Sequence, residues 1–220
     1  MTQIKICGIT NKRDAVCSAQ WGASALGFIF YPPSPRYIKP EEAKKIIDIL
    51  PDSTVKVGVF VNETPDNIKK TMKTCILDMI QLHGDETPEY CRQFPPTLLI
   101  KAIALNGNED IDRALAYDAA ALLIDTRHAG LFGGTGKKSN WNLACELKAY
   151  RRLILSGGLN AENVTDALKI VAPDALDINS GVEVFPGKKD HGKLARVFDI
   201  IRMTGKKSGN TPLIFQKRDK

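Results

Sequence analysis

Short apolar runs recur along the chain, each ending on a polar or glycine-containing stretch that leads into an amphipathic segment. The first run places Ile4 and Ile6 on one face of an extended strand and Lys5 and Cys7 on the other, then stops at Cys7-Gly8. Residues 11–21 read as a helix that Asn11 can cap, with Ala15, Ala19 and Gly22 beside Val16 as its close-packing side. A second apolar strand at 25–30 runs into Tyr31-Pro32-Pro33-Ser34-Pro35-Arg36-Tyr37, where three prolines exclude regular structure and hold Arg36 in a constrained loop. The same grammar predicts further strands at 55–61, 78–82, 98–103, 121–124, 153–155 and 176–178. Helices are predicted at 40–50, 65–74, from about 88, at 109–117, 141–149 and 160–170, and from about 191 to 203.

That alternation gives eight strand-then-helix units, with strands apolar enough to be buried on both faces. Such units favour a parallel sheet. With eight units and no dinucleotide glycine fingerprint after the first strand, closure into a single (β/α)8 TIM barrel of eight parallel strands is favoured over an open doubly wound sheet. Active-site groups of such a barrel lie on the loops that follow its strands. The expected organisation is a barrel domain over residues 1–204 and a basic tail over 205–220, poorly ordered.

Composition narrows the function classes. A 220-residue chain with 43% hydrophobic residues can bury one sizeable core. The net charge of +6 is mostly a property of the tail, where Lys206, Lys207, Lys217, Arg218 and Lys220 stand against Asp219 alone. No aromatic residues interleave with a basic face on the body, which argues against nucleic acid as a partner. A modestly positive body still suits an anionic small substrate. Five cysteines with no Cys-x-x-Cys pair fit neither a disulfide framework nor a zinc site, and a reducing cytoplasm suits them. No export leader precedes the first strand, and the longest apolar run, 119–124, is far too short to span a bilayer, so no membrane partner is expected.

Chemistry concentrates at strand ends. Ser156-Gly157-Gly158-Leu159-Asn160 follows the seventh strand and Ser180-Gly181-Val182-Glu183 the eighth. Glycines there let backbone N–H groups approach an anion, and a helix start at Asn160 would add favourable partial charge, so Gly157, Gly158, Ser180 and Gly181 are candidate phosphate binders. Gly133-Gly134-Thr135-Gly136-Lys137-Lys138 superficially suggests a nucleotide P-loop but fails it: Leu131 replaces the first glycine and Lys138 the magnesium-binding hydroxyl. It reads as a mobile loop over the barrel mouth, with a plain flexible surface loop as the competing account. Asp125 ends an apolar strand, where desolvation disfavours its carboxylate, and capping the next turn is its plainer reading. Cys7 and Asp125, from strands one and six, can face one substrate from opposite sides, as a proton-shifting isomerisation needs. Arg36 has the planar fork that suits a carboxylate, against the alternative of an ordinary surface arginine. His83, after strand four, can orient a substrate, tune the thiol or merely stabilise its turn. Cys17, Cys75, Cys91 and Cys145 fall on predicted helices as packing residues.

In order along residues 3 to about 203, Lys5-Ile6-Cys7-Gly8-Ile9-Thr10, Gly27-Phe28-Ile29-Phe30, Arg36-Tyr37-Ile38, Val57-Gly58-Val59-Phe60-Val61-Asn62 and Gln81-Leu82-His83-Gly84 resemble phosphoribosylanthranilate isomerases, as do Leu123-Ile124-Asp125-Thr126 and the two glycine loops. The resemblance implies an Amadori rearrangement in tryptophan biosynthesis, with Asp125 as general acid on the ribose ring oxygen and Cys7 as general base at C2. It further implies Arg36 on the anthranilate carboxylate, Asp177 near the amine, phosphate at Gly158, Ser180 and Gly181, and no metal or organic cofactor. A monomer or homodimer is expected. Departures from the family pattern fall at Lys138-Ser139-Asn140-Trp141, Ala161, Asn179 and the basic tail. Two other readings compete: a phosphoribosyl-sugar isomerase of histidine biosynthesis, or a bifunctional version, which would use an aspartate where Cys7 stands, and a non-catalytic barrel whose tail binds an acidic partner or nucleic acid.

Overall fold

The computed structural model describes residues 2–125, 141–204 and 213–216. Eight strands pair in chain order and close into a parallel barrel: β1 (Gln3–Ile6), β2 (Ala25–Ile29), β3 (Val55–Phe60), β4 (Met79–Leu82), β5 (Leu99–Ile103), β6 (Ala121–Ile124), β7 (Leu153–Leu155) and β8 (Ala175–Ile178). The ring closes where β8 pairs with β1, setting Lys5 opposite Asp177 and Ile6 opposite Ile178. Helices α1 (Lys12–Trp21), α2 (Pro40–Ile47), α3 (Pro65–Cys75), α4 (Pro88–Cys91), α5 (Glu109–Leu115), α6 (Trp141–Lys148), α7 (Val164–Ile170) and α8 (His191–Thr204) follow the strands. The (β/α)8 architecture read from the alternation is therefore the one adopted.

Strand alternation produces two cores. Ile4, Ile6, Leu26, Phe28, Ile80 and Leu82 point outward and pack against helix residues such as Ala15, Ile46, Ile68 and Val197. Ala25, Val57, Met79, Ile100, Leu123, Ile154 and Ala175 fill the barrel interior. Both faces of each strand are thus covered, which is why the strands read as continuous apolar runs. Caps fix the helices that sequence marks clearly: Asn11 accepts from the Asp14 N–H at 2.9 Å, and Thr64 and Thr87 cap α3 and α4 ahead of proline at their first positions.

One segment, the start of α7, departs from expectation, and two others take forms the sequence reading left open. Helix α4 spans four residues before Pro95 and Pro96 force a tight turn into β5. Helix α7 starts at Val164 rather than at Asn160, because Asn160 and Asn163 lock a preceding turn: Asn160 N donates to Asn163 Oδ1 at 2.9 Å and Glu162 N to Asn160 Oδ1 at 2.8 Å. After β8, β9 (Glu183–Phe185) and β10 (Lys188–Lys189) form an antiparallel hairpin turning at Pro186-Gly187. Asp14 of α1, fully buried, holds that hairpin by accepting from Lys189 N at 2.8 Å and contacting His191 Nε2 at 2.8 Å.

The tail also differs where it is described. Ile214 and Phe215 are buried in the inner cluster, with Ala25, Val55 and Met79 among its members. Gln3, at the start of β1, clamps them: its Oε1 accepts from Ile214 N at 2.7 Å and Phe215 N at 2.9 Å, and its Nε2 donates to Phe215 O at 2.7 Å. For residues 213–216 the expectation of a poorly ordered tail is corrected, since an apolar pair finds the barrel floor open to it. The five basic residues of the tail lie outside the described residues.

Candidate active site

A cavity of about 340 Å³ opens at the C-terminal ends of the barrel strands. Cys7 enters it from the end of β1, His83 from β4, Asp125 from β6 and Asp177 from within β8, and Arg36 reaches it from the proline-rich loop after β2. Gly157, Gly158 and Ser180 line it from the loops after β7 and β8. These eight residues, scattered over the chain, share one hollow. Gly181 sits behind the lining: a Cβ there would stand 1.9 Å from the Leu159 carbonyl oxygen, so only glycine lets the two loops press together. Gly157 and Gly158 both hold positive φ, at 91° and 65°, which turns the loop after β7 back on itself. Because α7 begins beyond this loop, the expected helix start at Asn160 is absent, and what the loop offers the cavity is its own backbone rather than a helix end.

Asp125 is ordered by a chain of polar groups. His83 Nε2 lies 3.3 Å from Asp125 Oδ2, and its Nδ1 is 2.8 Å from Gln81 Nε2. The ring is thus held between the Gln81 amide and the Asp125 carboxyl group. His83 therefore addresses Asp125 rather than the thiol. Its loop is anchored by buried Glu86, which accepts from Gly84 N at 2.9 Å and pairs with Lys101 at 2.7 Å.

On another wall stand three buried ion pairs, two of them sharing Glu183. Lys5 Nζ is 2.8 Å from Asp177 Oδ1. Arg36 grips Glu183 through Nε and Nη2 at 3.0 and 2.7 Å, and Lys189 Nζ reaches the same carboxylate at 3.0 Å. The guanidinium has a second edge, Nη1 with Nη2, whose fork geometry matches a planar anion. Burial opposes the Glu183 carboxylate, but Arg36 and Lys189 outweigh it and hold this group below the usual carboxylate range. Burial pushes the Cys7 thiol up, Lys5 and Lys189 pull it back, and Asp177 adds to the upward push.

Of these groups, Gln81, Glu183, Lys189 and the pairing of Lys5 carry no assigned role in the sequence reading. The signal available was polarity on an inward strand face: Gln81 is two residues from His83, as Lys5 is from Cys7. The glycine-rich segment 127–140, including Gly133-Gly134-Thr135-Gly136-Lys137-Lys138, lies outside the described residues. All five thiols are free, with Cys17, Cys75, Cys91 and Cys145 on helices. Among the described residues no group of three or more His, Cys, Asp or Glu is placed to hold a metal, and no described helix is long and apolar enough to cross a membrane.

The family model described as N-(5'phosphoribosyl)anthranilate (PRA) isomerase matches residues 4–200. An N-(5'-phosphoribosyl)anthranilate isomerase of Syntrophus aciditrophicus is 49% identical over 202 residues, covering 92% of this chain and 88% of that protein. The crystal structure of the enzyme from Thermotoga maritima superposes with a TM-score of 0.84 at 43% identity, covering 92% of this chain and all of that one. A further structure, of a phosphoribosyl anthranilate isomerase in complex with reduced 1-(o-carboxyphenylamino)-1-deoxyribulose 5-phosphate, superposes with a TM-score of 0.81 at 41% identity, with 92% and 100% coverage. With nearly its whole length matched by the family model and by relatives of this identity, the chain belongs to the phosphoribosylanthranilate isomerase family.

Proposed function

We propose that this chain isomerises N-(5-phosphoribosyl)anthranilate to 1-(2-carboxyphenylamino)-1-deoxyribulose 5-phosphate, the tryptophan-pathway step of its family, with Asp125 as general acid and Cys7 as general base. The observation that carries the assignment is that both side chains line one cavity, from β1 and β6, strands separated around the barrel by β7 and β8. Protonated Asp125 gives its proton to the ribose ring oxygen, the C1–O bond breaks, and the anilino nitrogen becomes a protonated imine. That cation draws electrons from the adjacent carbon. The Cys7 thiolate takes the C2 proton, its electron pair forms the C1–C2 double bond, and the resulting enolamine tautomerises to the ketone. The substrate's own nitrogen is the electron sink, so the scheme calls for no metal or cofactor.

The residues assigned to binding share the cavity with that pair or lie directly behind its lining. The free edge of Arg36 suits the anthranilate carboxylate, Asp177 faces the amine, and the backbone of Gly157, Gly158 and Ser180, with Gly181 behind them, suits the phosphate. His83 acts at this site through Asp125. The ligand named in the related complex bears the same two terminal anions, a carboxylate and a phosphate, which supports a site with two anion seats.

The test is turnover of freshly generated N-(5-phosphoribosyl)anthranilate by the purified chain, followed as loss of anthranilate-type fluorescence. The reading expects rapid loss that disappears in Cys7→Ala; a parental rate in that variant removes Cys7 as the base.

A further inference from the structure

Lys5 is among the largest fully buried side chains of the described residues, and the acid–base scheme above gives it no part. It projects into the barrel from the middle of β1, one rung below Cys7 on the same strand face. Lys5 pairs in register with Ala25 of β2, and the end of its long side chain fits beside Gly27, two residues further along that strand. A Cβ at Gly27 would stand 2.8 Å from Cys7 Sγ and 3.1 Å from Lys5 Nζ, so the thiol and the ammonium share the notch that this missing side chain leaves. The ammonium also lies 2.8 Å from Asp177 Oδ1, its partner across the β1–β8 seam.

We infer that Lys5 is a positioning residue for Cys7: a buried ammonium divided between Asp177 and the sulfur, which supplies the counter-charge that the thiolate needs inside a closed barrel. The inference rests on Cys7 being the general base. Lys5 keeps its proton throughout, and when the thiolate takes a proton from carbon the ammonium remains neutralised by Asp177.

Every charged group facing the sulfur bears on this. From β1 comes Lys5, and from β8 Asp177. The β9–β10 hairpin contributes Lys189, whose Nζ is 3.0 Å from both Asn179 Oδ1 and Glu183 Oε1, with Arg36 beyond Glu183. The facing position of β2 is Gly27, without charge, and His83 and Asp125 stand across the mouth. Burial drives the Lys5 ammonium toward its neutral form, but Asp177 and the thiol more than offset that and raise its pKa above that of an ordinary lysine. For Cys7 the strongest influence after burial is Lys5, opposed by Asp177 and assisted by Lys189.

The opposed signs of Lys5 and Asp177 give the test. Full-length protein is alkylated with iodoacetamide from about pH 6 to about pH 11, and modification of the Cys7 peptide is followed by mass spectrometry, with the helix cysteines as internal controls. Lys5→Met should move the Cys7 midpoint up by about one unit or more, and Asp177→Asn should move it down. Lys5→Met/Asp177→Asn, which leaves no stranded charge, should fall between wild type and Lys5→Met. An unmoved midpoint in Lys5→Met, or a shift of the same sign in both single variants, as mere loosening of the cavity would give, overturns the inference. The kcat pH profile of Lys5→Met separates the two claims. If the thiol midpoint moves and the profile does not, Cys7 is not the base and Lys5 still tunes it; if Cys7→Ala is inactive while the midpoint stays put, only the Lys5 inference falls.

Discussion

His83 and Asp125 meet across the barrel mouth at 3.3 Å, and the ring's other nitrogen is held at 2.8 Å by Gln81. A ring held at both nitrogens fixes the Asp125 side chain in one orientation, so on the roles proposed above it governs where Asp125 points more than how substrate binds. His83→Ala is therefore expected to lower kcat about tenfold while KM stays within about twofold. Steady-state kinetics on the fluorescent substrate decide it, and a change confined to KM would place His83 on the substrate instead.

Removing either proton-transfer group should leave binding largely intact. Cys7→Ala and Asp125→Asn are each expected to lower kcat by about 10²–10⁴-fold with little change in KM, the range for a positioned acid or base. Single-turnover measurements check that chemistry, rather than product release, carries the loss.

Arg36 and Glu183 form a unit, and substitutions should report that. Arg36→Ala removes the edge assigned to the substrate carboxylate and should raise KM roughly 10–100-fold, as loss of a charged hydrogen-bonding partner costs about 1.5–3 kcal/mol. Glu183→Gln leaves Arg36 in place but frees its grip, so a smaller rise is expected in the same assay. Equal effects on kcat and KM in both would show that the pair acts on the loop rather than on the ligand.

Acid should unfasten the hairpin. Burial opposes the Asp14 carboxylate, but the Lys189 N–H, Asn11, His191 and Lys188 hold it below the usual range, and Arg36 and Lys189 do the same for Glu183. Both carboxyls bind protons less readily folded than unfolded. Their contribution is complete above the unfolded pKa values of about 4 and is lost as pH falls through the lower folded values. Melting temperature should accordingly decline below about pH 4, and Asp14→Asn should flatten part of that decline. A wild-type curve that is level through this range would refute the assignment.

Legibility followed burial. Strands showed because both faces are covered and their runs are apolar, and Cys7, His83 and Asp125 showed because each breaks such a run at its end. Lys5, Glu183 and Lys189 did not, since a lone charge in a sequence looks like surface until closure brings its partner near; Lys5 and Asp177 are 172 residues apart. The start of α7 was misplaced because Asn160 has a cap's chemistry but spends it on a turn that Asn163 completes. In the tail, charge outweighed the short apolar run Leu213-Ile214-Phe215, which is the part that packs.

That packing makes the tail a stability element remote from chemistry. Gln3 begins the inward face of β1 that continues through Lys5 to Cys7, so the residue clamping Phe215 marks the floor and the thiol the mouth of one barrel. Burying an aromatic side chain stabilises by about 1.5–3 kcal/mol, less what ordering a chain end costs. Phe215→Ala should thus lower the melting temperature by roughly 3–8 °C for a chain of this size and leave kcat/KM within about twofold of the parent. Gln3→Leu removes all three clamping hydrogen bonds while keeping an apolar floor, and should act in the same direction. Thermal unfolding and steady-state kinetics on the same preparations test both halves: an unchanged melting temperature would mean the tail rests on the barrel without supporting it, whereas a large loss of activity in folded protein would tie floor to mouth.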